Sequence, residues 1–127
     1  MKILITGCAG FIGFHLTKFL TSKKISIIGI DNLNNYYDVN LKKNRLKLLK
    51  ENKKFTFYKT DILNKQKLNN IIRKNKIKII VHLAAQAGVR YSIENPKTYH
   101  KNNLEGFFNI LEISKENKIK HLIFAST

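Results

Sequence analysis

Short apolar runs alternate with longer segments of helical periodicity along the whole chain. Five runs rich in β-branched or aromatic residues are predicted as strands, over residues 2–6, 25–30, 55–58, 77–83 and 121–125. Four segments with apolar residues at helical spacing are predicted as helices, over 11–20, 40–51, 61–74 and 96–116. The polar stretch NLNNYYDVN and residues 84–95 are predicted as loops.

This alternation predicts an α/β fold in which crossover helices connect parallel strands. Right-handed crossovers then place helices on both faces of the sheet, in a doubly wound domain of Rossmann type that spans residues 1–127. We expect about five strands in the order 3-2-1-4-5. A ligand crevice would lie at the carboxyl ends of strands 1 and 4, next to residues 7–13 and 83–90.

The helical pattern also predicts which side chains face the core. In the segment 40–51 we expect the leucines to be buried and the lysines to form a solvated face; the leucines are Leu41, Leu46, Leu48 and Leu49. His82 lies at a predicted strand end, where we expect a buried and hydrogen-bonded ring. The four histidines have no neighbouring acidic ligands in the sequence, so no metal site is expected.

Length and cysteine content restrict the class of protein. A chain of 127 residues suffices for one domain with one core. The single cysteine, Cys8, excludes a disulfide framework and suits a reducing, cytoplasmic setting. We find no signal peptide and no apolar stretch near the roughly 20 residues that span a bilayer, so no membrane partner is expected.

The formal net charge of +16 raises the question of a nucleic-acid partner. The lysines, however, are spread along the whole chain among many Asn and Ile residues, as codon bias in an AT-rich genome would produce. A dedicated nucleic-acid surface favours clustered arginine and aromatic residues, and the chain has only three arginines. We therefore do not expect nucleic acid as a partner.

The stretch GCAGFIG follows the first predicted strand and opens the first predicted helix. In this context Gly7 would permit the tight turn, Gly10 would let the backbone approach a pyrophosphate, and Gly13 would allow close helix–strand packing. The exposed N–H groups and the helix dipole favour a phosphate group. The alternative is a plain glycine bend between two core elements, with Cys8 as a small residue that fills the turn.

Asp31 ends the second predicted strand, about 20 residues after the glycine motif. A carboxylate there can accept hydrogen bonds from the ribose hydroxyls of an adenosine and would repel a 2′-phosphate. This favours NAD over NADP. The alternative is an aspartate that only caps the loop that follows it.

Several motifs together resemble the extended short-chain dehydrogenase/reductase superfamily and its NAD-dependent epimerase/dehydratase family. They are GCAGFIG, DNLNNYYD, Thr60-Asp61-Ile62, VHLAAQAGVRYSIENP and the segment with Tyr99, Asn102, Asn103 and Gly106. The stretch AGVRYSIENP is similar to UDP-glucuronate 4-epimerases in particular. The resemblance covers the whole chain in order, and it implies a nucleotide-sugar 4-epimerase that uses NAD and acts by transient oxidation at C4.

The resemblance also implies roles for individual residues. The NAD-binding residues would be Gly7, Gly10, Phe11, Ile12, Gly13, Asp31, Asn32, Asn35, Asp61, Ile62, Leu83, Ala84, Ala85, Gln86 and Asn102. Thr127 falls on the catalytic Ser/Thr that bonds the sugar 4-hydroxyl. Arg90 lies in the predicted crevice loop, where a guanidinium suits the carboxylate of a uronic acid; the alternative is a solvated loop arginine.

One part of the family pattern is missing. The family uses a tyrosine base with a lysine four residues later, and none of the five tyrosines here has that lysine. In the family this pair and the C-terminal substrate lobe follow the Thr127 position, so residues 1–127 resemble the first third to half of such an enzyme. The resemblance implies a UDP-sugar substrate and a homodimer. A sugar-nucleotide 4,6-dehydratase and a non-catalytic NAD-binding fragment remain alternatives.

Overall fold

A computed structural model describes residues 1–126 of the chain. Within them one parallel sheet has the strand order β3-β2-β1-β4-β5, which confirms the prediction. Its strands are β1 (Lys2–Thr6), β2 (Ser26–Asp31), β3 (Phe55–Lys59), β4 (Ile79–His82) and β5 (His121–Phe124). The central strand β1 pairs on one side with β2 and on the other with β4, so that Ile5 lies between Gly29 and Val81.

Helices connect the strands as the periodicity predicts. They are α1 (Phe11–Ser22), α2 (Val39–Lys50), α3 (Lys65–Asn75), α4 (Val89–Glu94), α5 (Pro96–Tyr99) and α6 (Gly106–Glu116), with a π-helical segment (His100–Glu105) between α5 and α6. Side chains cap two of them, because Asp38 accepts from the N–H of Asn40 and Asn64 from that of Lys67. No helix among residues 1–126 is long and apolar enough to cross a membrane.

The sheet buries apolar side chains on both faces, as a doubly wound fold requires. The cluster on one face joins the sheet to α1 and α2 and includes Ile5, Phe14, Ile27, Leu46 and Leu49. The cluster on the other face joins it to α3 and α6 and includes Leu4, Leu68, Ile80, Ile110 and Ile113. Two packed faces fix the carboxyl ends of the strands at one edge of the sheet, where a crevice opens.

Three details differ from the expectations. The predicted loop 84–95 contains α4, a six-residue helix that buries no side chain and therefore has no core-facing pattern to reveal it. The predicted helix start at Asp61 is instead a turn, in which the Asp61 carboxylate accepts from the N–H of Leu63. Leu41 and Leu48 are exposed, because α2 packs through Lys42, Leu46 and Leu49.

Candidate functional site

The crevice at the carboxyl edge of the sheet has a volume of about 240 Å³ and is open to solvent. Ten of the predicted site residues line it: Gly7, Gly10, Asp31, Asn32, Ile62, Leu83, Ala84, Ala85, Gln86 and Asn102. The chain adds seven residues that the sequence did not single out as site residues: Ile30, Asn34, Tyr36, Tyr37, Lys42, Thr60 and Ala87. This volume lies somewhat below the roughly 300–1,000 Å³ that is typical of small-molecule sites.

The glycine turn forms one wall of the crevice. Gly7 has a φ of +71°, and a Cβ there would lie 2.9 Å from the backbone nitrogen of Ala84. The N–H groups of Gly7 and Cys8 both donate to the carbonyl of Ile30, at 2.8 and 3.2 Å. Only glycine satisfies this conformation and this approach together, and the turn is thereby fixed between β2 and the loop after β4.

The N-terminus of α1 belongs to the same wall of the crevice, because its N-cap Gly10 lines it. Gly10 is its N-cap and offers no side chain to the first-turn N–H groups, which have no intrahelical partner. A Cβ on Gly13 would lie 2.0 Å from the carbonyl oxygen of Gly7, so glycine at this position brings the helix against the turn. Phe11 and Ile12, which the resemblance placed at the pyrophosphate, are exposed and do not line the crevice.

Asp31 is held at the end of β2 with only 8% of its surface exposed. Its Oδ2 accepts the N–H of Ala9 at 3.1 Å, and its Oδ1 accepts that of Leu33 at 2.8 Å. The carboxylate therefore does cap the loop. Because each carboxylate oxygen has a second lone pair, Asp31 can still accept from hydroxyl groups in the crevice.

Lys42 reaches the crevice from α2 and is only 5% exposed. Its Nζ donates to Oδ1 and to the carbonyl of Asn34, at 3.0 and 3.2 Å, and lies 4.7 Å from the ring centre of Tyr37. Burial lowers the pKa of Lys42, and the nearby Asp31 opposes that effect. The expectation of a fully solvated lysine face was wrong at this position. Its spacing with Leu46 and Leu49, at i, i+4 and i+7, is the signal that could have found it.

A hydroxyl on β1 organises the loop that follows β4. Thr6 Oγ1 accepts the N–H groups of Leu83 and Ala84, both at 3.0 Å, and lies 2.8 Å from Nδ1 of His82. With its lone pairs occupied by two donors, the hydroxyl donates its own proton to Nδ1, and the neutral ring carries its proton on Nε2. Burial lowers the pKa of His82 to about 4. This confirms the expected buried, hydrogen-bonded histidine.

The π-helical segment delivers two asparagines to this region. Asn102 lines the crevice, and its Nδ2 donates to the carbonyl of Thr98 at 3.0 Å. Asn103 accepts the N–H of Gln86 at 2.8 Å and donates to its carbonyl at 3.0 Å. Asn103 was not among the predicted site residues, because a reciprocal bond between loop and helix has no local signature.

Three tyrosine rings form a cluster beside the crevice, and Tyr36 of this cluster lines it. The rings of Tyr36 and Tyr91 lie 4.8 Å apart, and those of Tyr91 and Tyr99 lie 6.2 Å apart. The hydroxyl of Tyr99 donates to the carbonyls of Ala87 and Gly88. These contacts join the loop after β2 to the loop after β4 and to the helical segment that begins at Pro96.

Several predicted site residues lie outside the crevice lining. The Arg90 side chain is 95% exposed on α4 and lies 3.7 Å from Glu94. Asn35 is exposed, and the Asp61 carboxylate accepts from Asn32 and from the N–H of Leu63. The predicted catalytic Thr127 lies outside the described residues.

Comparison with known proteins extends the sequence resemblance. A family model described as GDP-mannose 4,6 dehydratase matches residues 4–127. Protein CapI of Staphylococcus aureus is 52% identical over 128 aligned residues, and UDP-glucuronate 4-epimerase of Thermodesulfobacterium geofontis is 47% identical over 124. The matches cover 100% and 98% of this chain but 38% of each relative.

Solved structures give the same picture. UDP-glucuronic acid 4-epimerase from Bacillus cereus, in complex with UDP-glucuronic acid and NAD, matches with a TM-score of 0.89 at 37% identity. The match covers 100% of this chain and 40% of that one. UDP-glucose 4-epimerase of Thermus thermophilus, in complex with NAD, matches with a TM-score of 0.82 at 32% identity and covers 100% and 38% of the two chains. The chain thus spans about two fifths of the length of these relatives.

Proposed function

We propose, since the chain belongs to the GDP-mannose 4,6 dehydratase family, that its crevice is the NAD site of a nucleotide-sugar 4-epimerase. The substrate pair would be UDP-glucuronate and UDP-galacturonate. One observation carries the assignment: Gly10, the N-cap that leaves the N-terminus of α1 without a side-chain cap, and the buried Asp31 line the same crevice. The first suits a pyrophosphate and the second suits ribose hydroxyls.

In this proposal a dinucleotide lies along the crevice. First-turn N–H groups of α1 would bind the pyrophosphate, and Asp31 would bind the adenosine ribose beside Ile62. Leu83, Ala84 and Ala85 would line the nicotinamide side, because Thr6 holds their loop against the glycine turn. When bound, NAD would accept and return the C4 hydride of the sugar, while the protein would orient the two rings and move the hydroxyl proton.

Proton transfer in this family needs a tyrosine followed four residues later by a lysine, and residues 1–127 contain no such pair. Thr127 would bond the sugar 4-hydroxyl, and a tyrosine activated by a lysine four residues later would take its proton. We therefore propose that residues 1–127 bind NAD without turnover, and that a polypeptide joining them to a Tyr-x-x-x-Lys pair catalyses epimerisation. Arg90 would bind the uronate carboxylate only if its pair with Glu94 opens.

The first experiment measures NAD and NADP binding to the 127-residue chain by calorimetry. We expect NAD to bind and NADP to bind at least about tenfold more weakly, because Asp31 repels a 2′-phosphate. Asp31→Asn should bring the two affinities together. This ratio is a sharper measure than NAD affinity alone, because a general loss of structure would weaken both ligands equally. Absence of NAD binding by the unaltered chain would overturn the proposal.

The second experiment separates epimerase from dehydratase. Residues 1–127 are joined in parallel to the part of the Bacillus cereus epimerase that follows the matched segment and to the corresponding part of a GDP-mannose 4,6-dehydratase, and both chimaeras are incubated with UDP-glucuronate and with GDP-mannose. An epimerase yields UDP-galacturonate, whereas a dehydratase yields a 4-keto-6-deoxy sugar from GDP-mannose. A uronate has no 6-hydroxyl to eliminate, so the two activities cannot be confused. The family model, described as GDP-mannose 4,6 dehydratase, favours the dehydratase as second candidate, and the relatives named UDP-glucuronate 4-epimerase favour the epimerase.

Exposed apolar side chains and the single cysteine support proposals on assembly and location. Leu104, Phe108 and Leu111 lie at i, i+4 and i+7 and are exposed. We propose that this outer face, defined by these three residues, forms a homodimer contact. We further propose a cytoplasmic location, which suits a chain whose single cysteine is buried and free.

A further inference from the structure

The loops at the amino ends of the strands concentrate lysine. Four loops lead from a helix to the next strand, and we call them the amino-end loops: residues 23–25, 51–54, 76–78 and 117–120. Eight of their fourteen residues are exposed lysines, namely Lys23, Lys24, Lys53, Lys54, Lys76, Lys78, Lys118 and Lys120. Glu51 is the one acidic residue in these loops.

The loops at the other end of the sheet have the opposite character. Four loops lead from a strand to the next helix and contribute residues to the crevice, over 7–10, 32–38, 60–64 and 83–88. None of their twenty-two residues is a lysine or an arginine, although several are asparagines. Codon bias in an AT-rich genome enriches lysine and asparagine in all loops alike. It therefore does not account for lysine that is separated between the two ends of the sheet.

The sheet brings the amino-end loops into one row. Because its strands are parallel, all their amino ends lie at one edge, about 5 Å from strand to strand. The carbonyl of Lys54 accepts the N–H of Ile27 at 2.8 Å, and that of Lys78 accepts the N–H of Lys120 at 2.9 Å. Lys2 is exposed on the central strand between these two contacts. Lys2 and the eight loop lysines together form what we call the amino-end face.

The charges of this face are not neutralised within the described chain. No salt bridge formed in residues 1–126 involves a lysine of the amino-end face. Lys2 and Lys78 donate to side-chain and backbone oxygens of Asn75 and Asn117, which carry no charge. Nine ammonium groups on one side of a small domain create a strong positive potential there.

Three of these lysines have a backbone conformation that lysine rarely adopts. Lys24, Lys76 and Lys118 have φ values of 64°, 54° and 51°, in the left-handed region. Glycine and asparagine tolerate this region best, and the codon bias that supplies lysine supplies asparagine equally well. Backbone conformation therefore gives no reason for lysine at these three positions, and this points to a role for the charge itself.

We propose that the amino-end face attaches the chain reversibly to an anionic phospholipid surface. A bilayer presents a plane of phosphate charge, to which a row of loops along one sheet edge can present several lysines at once. The amino-end loops suit lipid better than nucleic acid, because they contain no arginine and no aromatic residue to stack on bases. The expectation of no membrane partner rested on the lack of a spanning segment, which an electrostatic attachment does not need.

This orientation leaves the crevice free, because the carboxyl ends of parallel strands lie at the opposite edge of the sheet. Met1, 83% exposed beside Lys2, adds an apolar side chain that can enter the lipid interface. The attachment does not depend on what the crevice binds, so it goes beyond the proposed function.

Co-sedimentation of the 127-residue chain with phospholipid vesicles tests the attachment. Phosphatidylcholine vesicles with about 30% phosphatidylglycerol supply the anionic surface, and vesicles of phosphatidylcholine alone are the neutral comparison. We expect the chain to bind the anionic vesicles and not the neutral ones. Binding should be at least about tenfold weaker in about 300 mM salt than in about 50 mM salt, because salt screens the charges.

The variant Lys24→Asn/Lys76→Asn/Lys118→Asn has effects of opposite sign on stability and binding. Asparagine tolerates the left-handed conformation, so the melting temperature should stay level or rise. The affinity for anionic vesicles should fall at least about tenfold, because three charges leave the face. A general loss of structure cannot produce this combination. If this variant loses its cooperative melt, a second set of substitutions takes its place: Lys23→Gln/Lys53→Gln/Lys120→Gln.

The matched control has the same net charge but loses three exposed lysines outside the amino-end face: Lys18→Gln/Lys43→Gln/Lys97→Gln. It should bind anionic vesicles nearly as the unaltered chain does. Equal losses in the control and the asparagine variant mean that net charge alone drives binding, and they overturn the proposal.

Three further outcomes are decisive. Absence of binding to anionic vesicles, or binding that salt does not weaken, overturns the proposal. Tighter binding to double-stranded DNA than to anionic vesicles at the same salt, lost in the asparagine variant, assigns the face to nucleic acid and also overturns it. A chain that binds anionic vesicles but not NAD supports this proposal and overturns the proposed function.

Discussion

The glycines of the turn differ in what a single methyl group would do to them. A Cβ on Gly13 lies 2.0 Å from the Gly7 carbonyl oxygen, whereas a Cβ on Gly10 lies 3.2 Å from the same atom. The group that a Gly13 methyl would meet is the backbone carbonyl of Gly7, which cannot rotate away as a side chain could. Gly13→Ala should therefore lower the free energy of unfolding by about 3 kcal/mol or more. Gly10→Ala should change it by less than about 1 kcal/mol and chiefly weaken NAD binding. Thermal melts and NAD titrations check both, and similar melts for the two variants would contradict the assignment of roles.

His82 predicts a specific dependence of stability on pH. Burial lowers the pKa of the folded imidazole from 6.5 to about 4. As the pH falls below 6.5, the unfolded chain binds a proton that the folded chain does not, so stability is lost until the pH reaches about 4. Above this window His82 is neutral in both states and adds no pH dependence.

The matched variant is His82→Asn, whose Oδ1 can accept from the Thr6 hydroxyl but does not titrate near neutral pH. Between pH 7 and pH 5 the unaltered chain should lose about 2 kcal/mol more stability than this variant. Urea unfolding at the two pH values measures the difference. Equal losses would show that His82 protonates freely in the folded chain.

Residue-scale prediction from the sequence works where a residue has a local cause. Gly7 and Gly13 are foreseeable because their positions between strand and helix demand glycine, and Asp31 because it ends a strand at the expected distance. The burial of Lys42 and Thr60 could not be predicted from the sequence, because it depends on how α2 and β3 pack at the crevice. Chain-local patterns carry no information on that geometry.

Among the elements, the π-helical segment makes the contacts that hold the loop after β4. A π-helical turn is wider than an α-helical one, and such turns are frequent at functional sites. Here the segment brings Asn102 to the crevice and lets Asn103 bond both backbone groups of Gln86. The sequence predicts the helix that begins at Pro96 but not its change of winding, because the π-helical segment contains a single apolar residue, Leu104, and so has no apolar spacing that distinguishes the two windings.

Asn103→Ala should release this loop. The N–H of Gln86 loses its acceptor, so its hydrogen exchange should accelerate about five- to tenfold, which corresponds to one net hydrogen bond. Asn103→Asp keeps the acceptor but not the donor, and the same N–H should stay protected. Asn70→Ala, on an exposed part of α3, is the control. Unchanged exchange at Gln86 in Asn103→Ala would mean that Thr6 alone fixes the loop.

For the molecule as a whole, the sheet order and both helical layers follow from the alternation of strands and helices. The apolar surface that remains exposed could not be predicted from that alternation. The π-helical segment exposes Leu104, α6 exposes Phe108 and Leu111, and β5 forms an edge of the sheet with Ile123 and Phe124 exposed. Exposed apolar side chains of this kind favour association between copies of the chain.

The double variant Phe108→Ser/Leu111→Ser tests whether this face forms the dimer contact. Truncating two central apolar side chains should weaken self-association at least about tenfold, as sedimentation velocity over a range of concentrations would measure. Phe19→Ser is a matched control, because Phe19 and Phe108 are each 58% exposed but lie on helices at opposite faces of the sheet. If Phe19→Ser weakens association equally, the association is nonspecific and arises from exposed apolar side chains in general. If only the α6 variant does, and NAD affinity is unchanged, the contact is specific and separate from the crevice.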